Sequence, residues 1–134
     1  DLKTEEHEIW GMTAHVVYNT IDQIQPATHS ITVVQKIIRE FIGFEGFLIT
    51  DCLTMEALEG SFAQRAQKAF AAACDAVLYC KGHLDDMKDV VAGSNELSSE
   101  AYQKFKKSLI SKKQLLSVQE QSIYQQRLKS CLFD

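Results

Sequence analysis

Two hydrophobic patterns alternate along this chain: short unbroken apolar runs, and apolar residues spaced three or four apart. Trp10 to Tyr18, Trp-Gly-Met-Thr-Ala-His-Val-Val-Tyr, is apolar and partly β-branched, as expected of a buried strand. A polar loop from Asn19 to Ser30 comes next and holds the single proline, Pro26. Val33 or Val34, Ile37, Ile38, Phe41 and Ile42 then predict a helix over about Thr32 to Ile42 with one apolar face. Ser30 or Thr32 suits its cap, and Gly43 its stop. Phe47 to Thr50 reads as a second strand. Ser61 caps a helix reaching about Ala73, with Phe62, Ala66, Ala69 and Phe70 on one stripe. Ala76-Val77-Leu78-Tyr79-Cys80 is a third strand. A short helix near Leu84 to Val91, a loop from Gly93 to Leu97 and a longer helix from Glu100 to about Ile110 complete this part of the chain. A last helical segment covers about Val118 to Leu132.

The order β, α, β, α, β, α and further helices predicts an α/β fold with a parallel sheet and right-handed crossovers. A chain of 134 residues suits one domain with one core, and no linker or internal repeat divides it. Hydrophobic content of 46% and charged content of 24% are those of an ordinary globular protein.

The net charge of −4 argues against nucleic acid as a partner, which needs clustered Lys and Arg. Lys104, Lys106, Lys107, Lys112 and Lys113 do cluster, but Ser and Gln between them mark a solvated helix face. No apolar run reaches the roughly 20 residues of a membrane span, so no membrane partner is expected. The acidic start Asp1-Leu2-Lys3-Thr4-Glu5-Glu6 has no signal-peptide core, and a cytoplasmic location is the expectation. The chain opens without Met, as a fragment would. Cys52, Cys74, Cys80 and Cys131 form no Cys-x-x-Cys pair and no zinc spacing with His. Cys74 and Cys80 flank a strand and read as buried thiols, and no disulfide framework is expected.

Asp51 ends the second strand run, and strand ends in parallel α/β proteins open onto pockets where catalytic groups sit. It reads either as a nucleophile or base, or as a cap for the next helix. His15 lies near the end of the first strand, as a substrate contact or as a satisfied structural histidine. Asp75 precedes its strand, where capping or an ion pair is the expected role. His7, His29 and His83 lie in polar or loop contexts and read as surface residues.

Several blocks together resemble one family. They are Ile37-Ile38-Arg39, then Gly43-Phe44-Glu45-Gly46, three apolar residues, Thr50-Asp51, two variable residues and Thr54-Met55. The upstream run Met12 to Tyr18, Ile21-Asp22 and Pro26-Ala27-Thr28 fits too, as does Ala73-Cys74-Asp75-Ala76-Val77-Leu78. In this order and spacing they resemble glycoside hydrolase family 3, in particular its bacterial β-N-acetylglucosaminidases. That resemblance implies the C-terminal portion of a (β/α)8 TIM-type barrel, contributing about three parallel strands with helices, and makes residues 1–134 a partial catalytic domain.

It further implies a retaining glycosidase that releases terminal β-linked N-acetylglucosamine from amino-sugar glycosides such as muropeptides. The family's nucleophile falls on Asp51, which would form a glycosyl-enzyme ester; no cofactor and no metal are implied. His15 is carried as a substrate-binding candidate. The family's acid/base loop, Lys-His-x-Pro-Gly-His, has no counterpart in this sequence. A complete barrel needs ~250 residues. Self-association, or a missing N-terminal half as partner, is therefore expected, and the alternative is a catalytically silent remnant. Cys52 stands where the family has a second Asp. Ala73 stands where it has a Gly, at a tight turn suited to positive φ. Lys81-Gly82 differs from an Asn-rich end. An unrelated flavodoxin-like domain would share the β/α order, but no glycine-rich phosphate loop succeeds any strand.

Overall fold

The computed structural model describes residues 9–114, with side chains to residue 109. His7, Cys131 and the helical segment expected at Val118 to Leu132 lie outside the described residues. Three parallel strands form one sheet in the order β1 (Gly11–Thr13), β2 (Leu48–Cys52), β3 (Ala76–Leu78). β2 is central, whereas a flavodoxin-like order would place β1 there. Met12 pairs with Ile49 on the β1 side, and Ile49 with Ala76 on the β3 side.

A π-helix (Thr32–Phe41) connects β1 to β2, and α1 (Phe62–Ala71) connects β2 to β3. Both pack on the same side of the sheet. Val34 and Ile38 from the first helix, and Ala69 and Ala72 from α1 and its end, meet around Leu48 and Cys74. The small Ala stripe of α1 lets the helix lie close to β2. α2 (Leu84–Ala92) adds Val90 to a second cluster with Leu53, Leu58 and Ala66. α3 (Ser99–Gln114) docks through Phe105, whose ring lies 5.8 Å from Trp10 and 5.7 Å from Phe47. Trp10 Nε1 donates to Ser108 Oγ at 2.8 Å, satisfying the indole against that helix.

Local chemistry explains the ends of these elements. Ser61 and Gln64 form a reciprocal capping box at the start of α1. At the start of the π-helix, Ser30 Oγ accepts from the Val33 amide at 3.2 Å. Gly43 stops that helix with φ of 72°, and Ala73 adopts φ of 77° at the turn from α1 into β3. Asp75 has the structural role expected of it: it takes Arg39 Nη2 at 2.7 Å and the Leu48 amide at 2.8 Å on the same oxygen, Oδ2.

Four expectations need correction. The first strand ends at Thr13, and Val16, Val17 and Tyr18 are exposed. The chain folds back instead, with the Thr28 and Ala27 amides donating to the Ala14 and Val16 carbonyls, so these residues pair with a 3-10 turn (Ala27–His29) and not with a strand. Phe41 and Ile42 leave the buried face, Phe41 being 83% exposed. The Ile42 amide reaches back five residues to Ile37, and this wider winding rotates Phe41 off the stripe that begins at Val33 and Val34. His29 is buried, with Nε2 donating to the Arg65 carbonyl at 3.1 Å. Cys74 is buried as expected, but Cys80 is exposed, because β3 ends at Leu78 and the chain turns out at Gly82.

Candidate active site

Asp51 lies near the C-terminal end of the central strand and is half-buried. Side chains alternate along a strand, which puts Asp51 with Ile49 and Met12 on the face that the helices leave open. Met12 is 58% exposed there. The ladder is irregular beside Asp51: register shifts between Ile49 and Cys52. Thr50, fully buried, accounts for the irregularity, since its Oγ1 accepts the Leu78 amide at 3.0 Å where a backbone carbonyl would normally serve. Asp51 Oδ1 accepts the Cys52 amide at 2.7 Å, which turns one carboxylate oxygen toward its own backbone.

The strand end is held from three directions. His15, 8% exposed, reaches over from the β1 exit, and its Nε2 donates to the Cys52 carbonyl at 3.1 Å. A carbonyl can only accept, so the ring carries a proton at Nε2. Its Nδ1 lies 2.8 Å from Thr28 Oγ1, itself 2.9 Å from Thr13 Oγ1. His15 thus adjoins Asp51 with both ring nitrogens engaged by protein groups. Arg65, from α1, donates Nη1 to the Leu53 carbonyl at 2.6 Å and to Met55 at 3.2 Å, and Nε to Gly60 at 3.0 Å. Leu53 and Leu58 anchor the same loop in the core. Upstream, Asp22 gathers the loop after β1 by accepting from the Gln25 and Ile24 amides and from Ser30 Oγ. These bonds, led by that from Gln25, hold its carboxyl below the usual range.

Sequence reasoning missed Arg65, Thr28 and the Thr50 hydroxyl. Each acts through a contact distant in the chain, and nothing in local spacing marks it. The buried His29 was legible only as a loop residue. Among the described residues, no group of three His, Cys, Asp or Glu side chains is placed to hold a metal ion. No described helix is long and apolar enough to cross a membrane. A groove of about 490 Å³ opens at the opposite end of the sheet, where Arg39, Asp75, Glu100 and Lys104 form an ion-pair network. That network binds β3 and α3 together at the edge remote from Asp51.

An α/β unit with a lone carboxylate at the end of its central strand is matched by known sequences. Residues 8–110 match the glycosyl hydrolase family 3 N-terminal domain. The chain belongs to glycosyl hydrolase family 3. A β-hexosaminidase from Bordetella pertussis is 43% identical over 77 residues, covering 56% of this chain and 22% of the relative. A β-hexosaminidase from Haemophilus ducreyi is 34% identical over 101 residues, covering 72% and 29%. Among solved structures, a family 3 β-N-acetylglucosaminidase from Paenibacillus superposes with a TM-score of 0.63 at 27% identity, over 78% of this chain and 22% of that one. NagZ from Neisseria gonorrhoeae superposes at 0.61 with 26% identity, over 84% and 35%. This family 3 chain spans between about a fifth and a third of the length of these relatives.

Proposed function

We propose that this chain carries the nucleophile of a retaining glycosidase acting on terminal β-linked N-acetylglucosamine, and that Asp51 is that nucleophile. The observation that supports the role is the position of Asp51, half-buried at the C-terminal end of the central parallel strand and on the open face of the sheet. A carboxylate there attacks the anomeric carbon to give a glycosyl-enzyme ester, which water then cleaves. His15 holds the Cys52 backbone beside that carboxylate, and in this reading it is the substrate-binding residue.

In this reading the three strands are an arc of a (β/α)8 barrel. Sequential strand order with both connecting helices on one side fits such an arc. The remaining strands and the general acid of that barrel lie outside residues 1–134. Exposed Met12, Val16, Val17 and Phe41 favour a covering partner, since they are large apolar side chains facing solvent. The setting proposed is muropeptide recycling in the cytoplasm, with which the three free described thiols agree.

The test is release of an aryl alcohol from a chromogenic β-N-acetylglucosaminide, by the full chain and by Asp51→Asn. Turnover that vanishes in the variant supports Asp51. Turnover that persists there sinks the assignment. Absence of turnover from both chains favours the second reading, a silent remnant or half-barrel awaiting its partner.

A further inference from the structure

The glycosidase chemistry makes no use of the two thiols beside Asp51. Cys52 comes directly after it and pairs in the ladder with Leu78, and Cys80 lies two residues beyond Leu78. The Leu53 amide donates to the Leu78 carbonyl at 2.8 Å, which keeps the two chain segments adjacent just past the end of β2. Cys52 Sγ lies 3.1 Å from Thr54 Oγ1. Thr54 thus borders that sulfur through its hydroxyl, and the chain at Cys80 runs beside it from the neighbouring strand.

A thiol within hydrogen-bond reach of a hydroxyl is favoured as a thiolate, the form that reacts. Burial pushes the Cys52 thiol up, but the hydrogen bonds from Thr54 and Cys80 outweigh it and hold the group below its ordinary value. Cys80 is pushed the other way, first by its bond to Cys52 and then by burial. Cys80 is exposed and Cys52 half-buried, so a small reagent can enter. Cys74 is the contrast within the same chain: it is buried, lies 3.8 Å from the Thr28 carbonyl, and desolvation pushes it up to about 12.

We propose that Cys52 and Cys80 are a redox pair, which a small-molecule disulfide such as oxidised glutathione converts to an intramolecular disulfide joining β2 to the β3 exit beside Asp51. The Cys52 thiolate attacks one sulfur of the oxidant and expels the other as a thiolate, leaving a mixed disulfide on Cys52. Cys80 gives its proton to the expelled thiolate and attacks the Cys52 sulfur, releasing the second glutathione. Two protein thiols are oxidised, one small disulfide is reduced to two thiols, and no other reactant is needed. The bridge rests on the pairing of the two strand ends, so it stands whether or not Asp51 attacks a sugar.

The experiment uses the full chain bearing Cys131→Ser, incubated with graded ratios of oxidised to reduced glutathione. Samples are acid-quenched, alkylated without reduction and mapped by mass spectrometry. The expected product has lost two hydrogens and carries the Cys52 and Cys80 peptides joined until a reductant is added. Cys74 takes alkylating reagent at least about tenfold more slowly than Cys52. Cys80→Ser accumulates a persistent glutathione adduct on Cys52, and Cys52→Ser yields no joined peptides. Glutathione adducts on the Cys131→Ser chain without joined peptides overturn the proposal. So does joining that appears only after denaturation.

Discussion

Nε2 of His15 lies 3.1 Å from the carbonyl of Cys52, so a side chain from the β1 exit holds the backbone directly after Asp51. Two strand ends are thereby locked together through one imidazole, with Thr28 behind it at 2.8 Å. Replacing His15 by Ala leaves a buried Thr28 hydroxyl and the Cys52 carbonyl without this partner. Buried groups left so cost about 1–3 kcal/mol. The expected outcome for His15→Ala is a loss of stability of that size in chemical denaturation, together with a fall in any Asp51-dependent turnover. An unchanged midpoint would show that the ring contributes nothing to stability.

Ala73 holds φ of 77° between α1 and β3. The left-handed region crowds Cβ against the next carbonyl and costs a non-glycine residue about 1–2 kcal/mol, part of which glycine returns as chain entropy. Ala73→Gly is expected to raise stability by about 0.5–1 kcal/mol in chemical denaturation. Ala73→Val is expected to move it down. If the glycine variant is the less stable of the two, the turn is not strained.

His29 supplies a pH dependence. Desolvation lowers its pKa from 6.5 to about 4, against the raising effect of its bond to the Arg65 carbonyl. The folded state therefore holds His29 neutral where the unfolded chain would already bind a proton. Its stabilisation is complete above pH 6.5, falls as pH drops toward 4, and is level below that. The whole effect is up to about 3 kcal/mol. Denaturation midpoints measured at intervals from pH 7 to pH 4 should show this fall, and His29→Gln should flatten it. Equal slopes in the two proteins would assign the pH dependence elsewhere.

Much of this architecture was legible in the sequence because it depends on neighbours in the chain. Ser61 caps α1 from the position directly before it, and Gly43 ends its helix by its own backbone freedom. The apolar runs at Leu48 and Ala76 alternate with helical stripes, which suffices for a parallel sheet. Asp51 could be singled out because strand and carboxylate are adjacent, and Ala73 because it stands where the resembled family has a Gly.

What only the tertiary structure decided concerns groups far apart in sequence. Phe41 is apolar and correctly spaced for an α-helix, yet five-residue winding puts it in solvent. His29 sits among loop residues, yet α1 folds over it and offers the Arg65 carbonyl. Thr50 reads as a strand residue, yet its hydroxyl replaces a ladder carbonyl and shifts the register beside Asp51. Cys52 and Cys80 are remote in the chain and come onto neighbouring strand ends only because β2 and β3 run parallel in that shifted register. Periodicity reports which face of an element is apolar. Which distant donor or thiol meets that face is set by how the elements pack, and there the contacts that hold and flank Asp51 were decided.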